Sequence, residues 1–409
     1  MNKEFDCLKH ADKVVLAYSG GLDTSVMVAW LKEKGVQEVI CVSGDLGQIE
    51  DPQALEAKAL ASGASKFYNV DLKEAFLKDF AFPALQAGAK YENAYLLGTA
   101  LARPAIAKAL VEVAKKEDCQ VIVHGCTGKG NDQIRFELSI MALAPEIKVI
   151  APWRFWELKG RSEEIAYAKA HGIHVTDSNE ASYSEDENLW HISHEGLDLE
   201  KASQPAQLEK VLKWVTPPEL CEDEAEYVKL TFEQGLPVAV DGKTMDPVTL
   251  VQCLNTIGGR NGIGIDDIVE SRLAGMKSRG LYENPAASLL HFAHEKLESM
   301  TIHPDLLKYK QKLAHDYADL AYNGKLLTPM KKALDAFIAI SQENVTGTVT
   351  LKLYKGSILP YGIEADQSLY QEDYASFEAD EVYDQGDATG FINLYGLATK
   401  IYAQVRKVG

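Results

Sequence analysis

Tyr18-Ser19-Gly20-Gly21-Leu22-Asp23-Thr24-Ser25 closes the apolar run Val14-Val15-Leu16-Ala17-Tyr18 and opens a helix-like stretch that continues to Glu33. The run reads as a buried strand, so the loop sits at a strand-to-helix junction. Gly20 and Gly21 permit positive φ and let the backbone approach a ligand closely. Ser19, Thr24 and Ser25 add hydroxyl donors. The new helix contributes unpaired amide N–H groups and a partial positive charge. Together these make a socket for a polyphosphate. No lysine follows the glycines, so this is not the GxxxxGK[ST] loop. Asp23 is the odd member, because a carboxylate repels phosphates. It makes sense as a cap for the helix amides or as an outer partner of Mg2+ bridging the phosphates.

Working outward, four more short apolar runs read as strands: Val39-Ile40-Cys41-Val42, Lys66-Phe67-Tyr68-Asn69-Val70, Val121-Ile122-Val123 and Val149-Ile150-Ala151. Helix-like stretches alternate with them: Pro52 to Ala61, Leu101 to Lys116 and Arg161 to His171. This alternation predicts an α/β fold with a parallel sheet covered by helices on both faces. Right-handed crossovers then align the strand-to-helix loops at the carboxyl ends of the strands, where ligands bind. After residue 172 the pattern changes. Thr176 to Glu200 is polar, Pro217-Pro218 and an acidic Glu222-Asp223-Glu224 follow, and strand-like and long helical stretches then mix. Residues 173–385 therefore read as a second, α+β domain. Apolar residues at Phe391, Leu394, Tyr395, Ala398, Ile401, Tyr402 and Val405 describe one helix with an apolar stripe in the segment 386–409. It either docks on its own domain or packs on another subunit.

The chain of 409 residues carries 42 Lys plus Arg against 60 Asp plus Glu, a net charge of −18. That balance argues against a broad nucleic-acid surface and against an anionic membrane as partner. No apolar run approaches the roughly 18 residues of a membrane span, and the first residues are polar with no signal-peptide core. Cys7, Cys41, Cys119, Cys126, Cys221 and Cys253 form no CxxC pair. A reduced cytoplasmic protein without a zinc ribbon is the reading. His191 and His194 stand three apart, but no further Cys or His cluster supports a metal site, and no metal ligand is assigned.

The loop pattern SGGxD[TS]S resembles the pyrophosphate loop of the N-type ATP pyrophosphatases. That family splits ATP between its α- and β-phosphates to adenylate an oxygen, after which a nucleophile displaces AMP. Within it, four further segments resemble the argininosuccinate synthase family in order along the chain: Tyr95-Leu96-Leu97-Gly98-Thr99-Ala100-Leu101-Ala102-Arg103-Pro104, His124 to Glu137, Ser184-Glu185-Asp186-Glu187-Asn188-Leu189-Trp190, and Ile268-Val269-Glu270-Ser271-Arg272 to Tyr282. Asp387-Ala388-Thr389-Gly390-Phe391-Ile392 extends the match to the C-terminal segment.

The residues of the second segment are chemically apt. Gly125, Gly128 and Gly130 thin the backbone after a buried strand. Thr127, Asn131 and Asp132 offer a hydroxyl, an amide and a carboxylate, able to hold a zwitterionic amino acid by both charged ends. Lys129 and Arg135 can balance phosphate or carboxylate charge. Glu270 and Tyr282, by contrast, would read alone as a solvated carboxylate and a core tyrosine. Gly258 to Gly264 reads as a loop shaping the site.

The resemblance implies a nucleotide-binding domain over residues 1–172, a synthetase domain over 173–385 and an oligomerisation helix over 386–409, in a homotetramer. It implies ATP with Mg2+, L-citrulline and L-aspartate as partners. ATP would contact Ala17, Tyr18, Ser19, Gly20, Gly21, Leu22, Asp23, Thr24, Ser25, Gly44 and Gly125. Citrulline would contact Tyr95, the backbone near Ala100, Asn131, Arg135, Ser184, Ser193, Glu270 and Tyr282. Aspartate would contact Thr127, Asn131 and Asp132. No residue stands out as a general base, so catalysis is expected to act by positioning. A tRNA-modifying pyrophosphatase would share the loop but would carry a basic surface or a catalytic cysteine pair. A non-catalytic nucleotide sensor would lack the amino-acid residues.

Overall fold

The computed structural model describes residues 7–128, 130–158, 160–173, 183–376 and 382–406. Its first sheet is parallel and five-stranded, in the order β3-β2-β1-β4-β5. The strands are β1 (Lys13–Ala17), β2 (Glu38–Asp45), β3 (Lys66–Asp71), β4 (Val121–Val123) and β5 (Lys148–Ile150). The alternation of side chains fixes both faces. Val14, Leu16, Val39 and Cys41 join one core with Val26, Met27, Trp30 and Leu31 of α1 (Leu22–Glu33). Val15, Ile40, Val42 and Ile122 join the other, with Leu110 and Val111 of α4 (Gly98–Lys116) and Phe136 and Ile140 of α5 (Asp132–Leu143). Each fully buried aliphatic contributes about 1.5–3 kcal/mol, so the rim carrying the ligand loops rests on a firm base.

Two helices flank the first loop, α2 (Pro52–Ala61) and α6 (Arg161–Ala170), the latter packed against α1. The link from β3 to α4 holds more structure than its sequence suggests. It contains two short helices, one of them α3 (Phe82–Ala87), joined by a π-turn over Leu77–Ala81.

Beyond the parallel sheet the chain builds two antiparallel ones. The first, in the order β11-β12-β7-β6, pairs β6 (Ser184–Asn188), β7 (His191–Glu195), β11 (Ile265–Ser271) and β12 (Lys277–Glu283). The polar stretch read from Thr176 to Glu200 thus contains a hairpin, while its residues 176–182 lie outside the described residues. Strands so rich in Glu, Asp and Ser give little apolar alternation, because their inward side chains bond to one another instead of packing a core. The second sheet, β10-β9-β8-β13-β14, comprises β8 (Glu226–Glu233), β9 (Leu236–Val240), β10 (Lys243–Thr244), β13 (Gly347–Tyr354) and β14 (Ser357–Glu364). Helices α7 (Pro247–Arg260), α8 (Pro285–Thr301), α9 (Pro304–Tyr322) and α10 (Pro329–Gln342) share its core.

Gly258 to Gly264 is not a site loop. Gly258 and Gly259 end α7, where Pro285 and the Trp214 carbonyl leave no room for a Cβ.

The chain divides into two compact units, residues 1–367 and 368–409. In the smaller one, the expected single helix is two, α11 (Asp387–Tyr395) and α12 (Leu397–Arg406). They break at Gly396, a residue with poor helix propensity. The Gly396 amide still bonds Ile392 at 2.8 Å, so the interruption is one residue long.

Candidate active site

The first cavity opens at the carboxyl ends of β1 and β2. It has a volume of about 1050 Å3, and every residue from Ala17 to Ser25, with Gly44 and Gly125, lines it. Backbone geometry explains the loop. Gly20 sits at φ +76, where an added Cβ would also lie 2.4 Å from Leu55 Cδ1. Ser19 Oγ and Thr24 Oγ1 are 3.2 Å apart, and Tyr18 Oη and Ser25 Oγ 3.1 Å. These bonds hold the hydroxyls around the helix start.

The lysine missing from the loop comes from α2: Lys58 Nζ donates to the Gly20 carbonyl at 2.5 Å and lines the cavity. Burial lowers its ammonium pKa. Asp23 does not cap α1, whose N-cap is Gly21 without a side-chain bond. It pairs with Glu164 of α6. Burial first, then the facing Asp23 carboxylate, pushes Glu164 up to about 8. Burial likewise raises Asp23. The two carboxyls therefore share a proton near neutral pH.

The second cavity, about 320 Å3, lies beside the first. Gly125, Cys126, Asp132, Ser184, Glu185 and Asp186 line both. Tyr95, Thr127, Asn131, Arg135, Ser193, Glu270 and Tyr282 also line it. Elements far apart in sequence supply these groups. The start of α5 brings Asn131, Asp132 and Arg135, and the β12–β7 pairing sets Tyr282 beside Ser193. Ala100 is the exception: it is fully buried within α4 and lines neither cavity. Lys129 lies outside the described residues.

Charge inside this cavity is closely paired. Arg103 donates to Asp132 at 2.9 Å and to Asp186 at 2.6 Å, and Arg135 donates to Asp132 at 3.0 Å. Burial raises the Asp132 carboxyl, but the two guanidiniums outweigh it and hold the group below its ordinary value. Thr99 Oγ1 donates to Asp186 at 2.7 Å and lies 3.0 Å from His191 Nε2. The single hydroxyl proton goes to Asp186, so His191 donates from Nε2. Burial pushes His191 down to about 4, so the ring is neutral. His191 can sit there because residue 98 is glycine: a Cβ would lie 2.4 Å from the ring.

Tyr322, at the end of α9, ties the far wall together. Its hydroxyl donates to Glu270 at 2.9 Å and accepts from Asn131 Nδ2 at 2.9 Å. Its carbonyl accepts from Arg135 Nε at 3.0 Å, and the Arg135 guanidinium lies over its ring at 4.8 Å. Tyr282 reaches the other Glu270 oxygen at 3.3 Å. Burial raises Glu270 above the usual carboxylate range. Arg135 Nη2 is buried with no protein partner among the described residues. Arg272, bonded to Glu195 at 2.6 Å, completes the rim.

Sequence reading did not single out Arg103, Asp186, Thr99, His191, Lys58, Glu164 or Tyr322 as site residues. Arg103, Thr99 and Asp186 stood inside quoted motifs. Lys58, Glu164 and Tyr322 lie within helices whose sequences gave no local signal.

A parallel sheet with a Ser-Gly-Gly loop at its rim, opening over one cavity that abuts a smaller charged one, defines a nucleotide-dependent α/β enzyme. Residues 13–174 match the sequence model described as the arginosuccinate synthase N-terminal HUP domain, and residues 183–402 match that of the arginosuccinate synthase C-terminal domain. The argininosuccinate synthase of Caldanaerobacter subterraneus subsp. tengcongensis is 57% identical over 392 residues, covering 96% of this chain and 95% of its own. That of Acetivibrio thermocellus is 52% identical over 400 residues, 98% of this chain and 99% of its own. That of Clostridium perfringens is 51% identical over 398 residues, 97% and 99%. The chain belongs to the argininosuccinate synthase family.

Proposed function

We propose that this enzyme joins L-citrulline to L-aspartate at the expense of ATP, releasing AMP and pyrophosphate, in arginine biosynthesis. One observation carries the residue-level reading: the polyphosphate loop and the charged amino-acid cavity share a wall. A nucleotide in the first cavity can present its α-phosphate to a group held in the second.

ATP, as its magnesium complex, lies along Ala17 to Ser25, with Lys58 and Arg161 neutralising phosphate charge. Gly44 and Gly125 let the nucleotide pass close to the backbone. Citrulline lies in the smaller cavity against Tyr95, Asn131, Arg135, Ser184, Ser193, Glu270 and Tyr282. Arg135 takes its α-carboxylate and Glu270 its ammonium group. Aspartate sits at the shared wall near Thr127, Asn131 and Asp132. The ureido oxygen of citrulline attacks the α-phosphorus, the Pα–O bond to pyrophosphate breaks, and a citrullyl-AMP forms. The aspartate amine then attacks the ureido carbon, the C–O bond to AMP breaks, and the amine proton leaves to solvent. Nitrogen lone pairs make that carbon a poor electrophile, which is why its oxygen must first become a good leaving group. The chain's own part is to hold the reactants in line in a charge-balanced site.

Incubation with ATP, citrulline and aspartate should yield AMP, pyrophosphate and argininosuccinate, and exchange of pyrophosphate into ATP should require citrulline. Release of ADP would overturn the reading.

The proposal extends to a cytoplasmic homotetramer. Cysteines free of disulfides among the described residues suit a reducing compartment. The exposed Phe391, Leu394, Tyr395, Ile401, Tyr402 and Val405 of α11 and α12 suit burial against another subunit. Sedimentation equilibrium of the intact chain and of a variant with Leu394 and Tyr395 changed to serine tests it; a monomeric parent would overturn it.

A further inference from the structure

A third cavity, about 430 Å3, lies among the end of α3, α8 and α9, lined by residues of neither site cavity. Its floor is a closed buried network. Lys310 sits 2.8 Å from Glu298 Oε1, Gln342 donates to the same oxygen at 2.7 Å, and His294 Nε2 donates to Gln342 Oε1 at 2.8 Å. The Lys310 side chain is only 3% exposed, and one carboxylate uses one of its three donors. His291 is 5% exposed and lines the cavity. Its ring packs edge-on against Trp190, and its nitrogens have no hydrogen-bond partner among the described residues. Half-buried Lys90 lines the same cavity and meets a carboxylate, Glu295, at 4.0 Å. Lys90, Lys296 and Lys310 line the cavity against Glu295 and Glu298, and this excess of ammonium groups, around a space larger than several waters, describes an anion pocket. Burial first, then Lys90, His294 and Lys310, push the His291 imidazole well below its ordinary pKa.

We propose that this cavity binds a small oxyanion, phosphate or carboxylate, between Lys90, Lys310 and His291, and that its occupancy is coupled to citrulline binding. The coupling has a short physical route. Lys90 precedes Tyr91, whose ring stacks on Tyr322 at 3.5 Å and 5°. Tyr322 ends the helix that carries Lys310, and it is the residue that bonds Glu270, Asn131 and Arg135. Drawing Lys90 toward an anion shifts the stacking partner of the tyrosine that shapes the amino-acid cavity.

Isothermal titration of the full chain with orthophosphate and, separately, with malonate tests this, the active site being filled beforehand with α,β-methylene-ATP and citrulline. Whichever anion gives saturable binding identifies the source. Lys90→Gln and His291→Asn should each weaken that binding about tenfold, as expected for one charge-assisted or buried hydrogen bond. The same anion should change the citrulline KM of the parent and not that of Lys90→Gln. Absence of saturable binding by both anions, or equal affinity in the parent and both variants, would overturn the site. Binding that leaves the parent's citrulline KM unchanged would overturn the coupling. Because binding is read without turnover, the result stands apart from whether the ligase reaction is confirmed.

Discussion

The two site cavities are built in opposite ways. The nucleotide cavity takes its defining contacts from nine consecutive residues, Ala17 to Ser25, and presents mainly backbone amides and hydroxyls. The amino-acid cavity draws Tyr95, Asn131, Asp132, Arg135, Ser193, Glu270, Tyr282 and Tyr322 from six separate elements or loops and presents paired charges. A backbone-built socket is set by one loop and its helix. A charge network depends on every partner, because removing one leaves another buried and unpaired. The two should therefore fail differently when perturbed.

The largest effect should follow Arg135→Ala. It strands Asp132 with one guanidinium, so kcat/KM for citrulline should fall about 10²–10³-fold. Affinity for a fluorescent ATP analogue should hardly change. Equal damage to nucleotide affinity would mean that the cavities are not separable.

Next, Glu164→Gln probes the nucleotide side through pH. An acid whose pKa is raised to about 8 on folding destabilises the protein progressively as pH rises from the unfolded value to that point. The parent should therefore lose stability over this window, and the variant should lose less. The gain in stability, read from the melting temperature at each pH, should be absent near pH 4 and complete above about pH 8.5, reaching on the order of a few kcal/mol. A pH-independent difference would show that the Asp23–Glu164 proton is not the cause.

Gly20→Ala forces a side chain into positive φ, at about 1 kcal/mol of strain. The KM for ATP should rise several-fold while that for citrulline stays put, the mirror image of Arg135→Ala. The smallest effect should come from Tyr322→Phe, which deletes one hydroxyl between Asn131 and Glu270. Citrulline KM should rise about fivefold, the worth of roughly 1 kcal/mol. No change would mean that Tyr322 packs the wall without orienting it.

The same contrast explains what could be read in advance. The parallel sheet was legible because β1 and β2 are apolar on both faces, and the glycine pair marks the loop by chemistry that few other contexts require. Helices α7 to α10 fall in the region beyond residue 173 that reads as a mix of strand-like and long helical stretches. Strands β6, β7, β11 and β12 were not legible, because their buried faces carry His, Ser and Glu, which are satisfied by long-range hydrogen bonds and leave no hydrophobic period. Glu270 and Tyr282 were reached only through family resemblance.

Local order therefore settles the chain's identity as a nucleotide-gripping α/β fold, since a strand, two glycines and a helix start are adjacent residues whose geometry needs no distant partner. Folding in space decides the rest. It supplies Lys58 in place of a loop lysine, pairs Asp23 with Glu164, and sets Tyr322 between Asn131 and Glu270, positions up to 191 apart along the chain. Electrostatic complementarity acts through distance in three dimensions, and sequence separation carries almost no information about it.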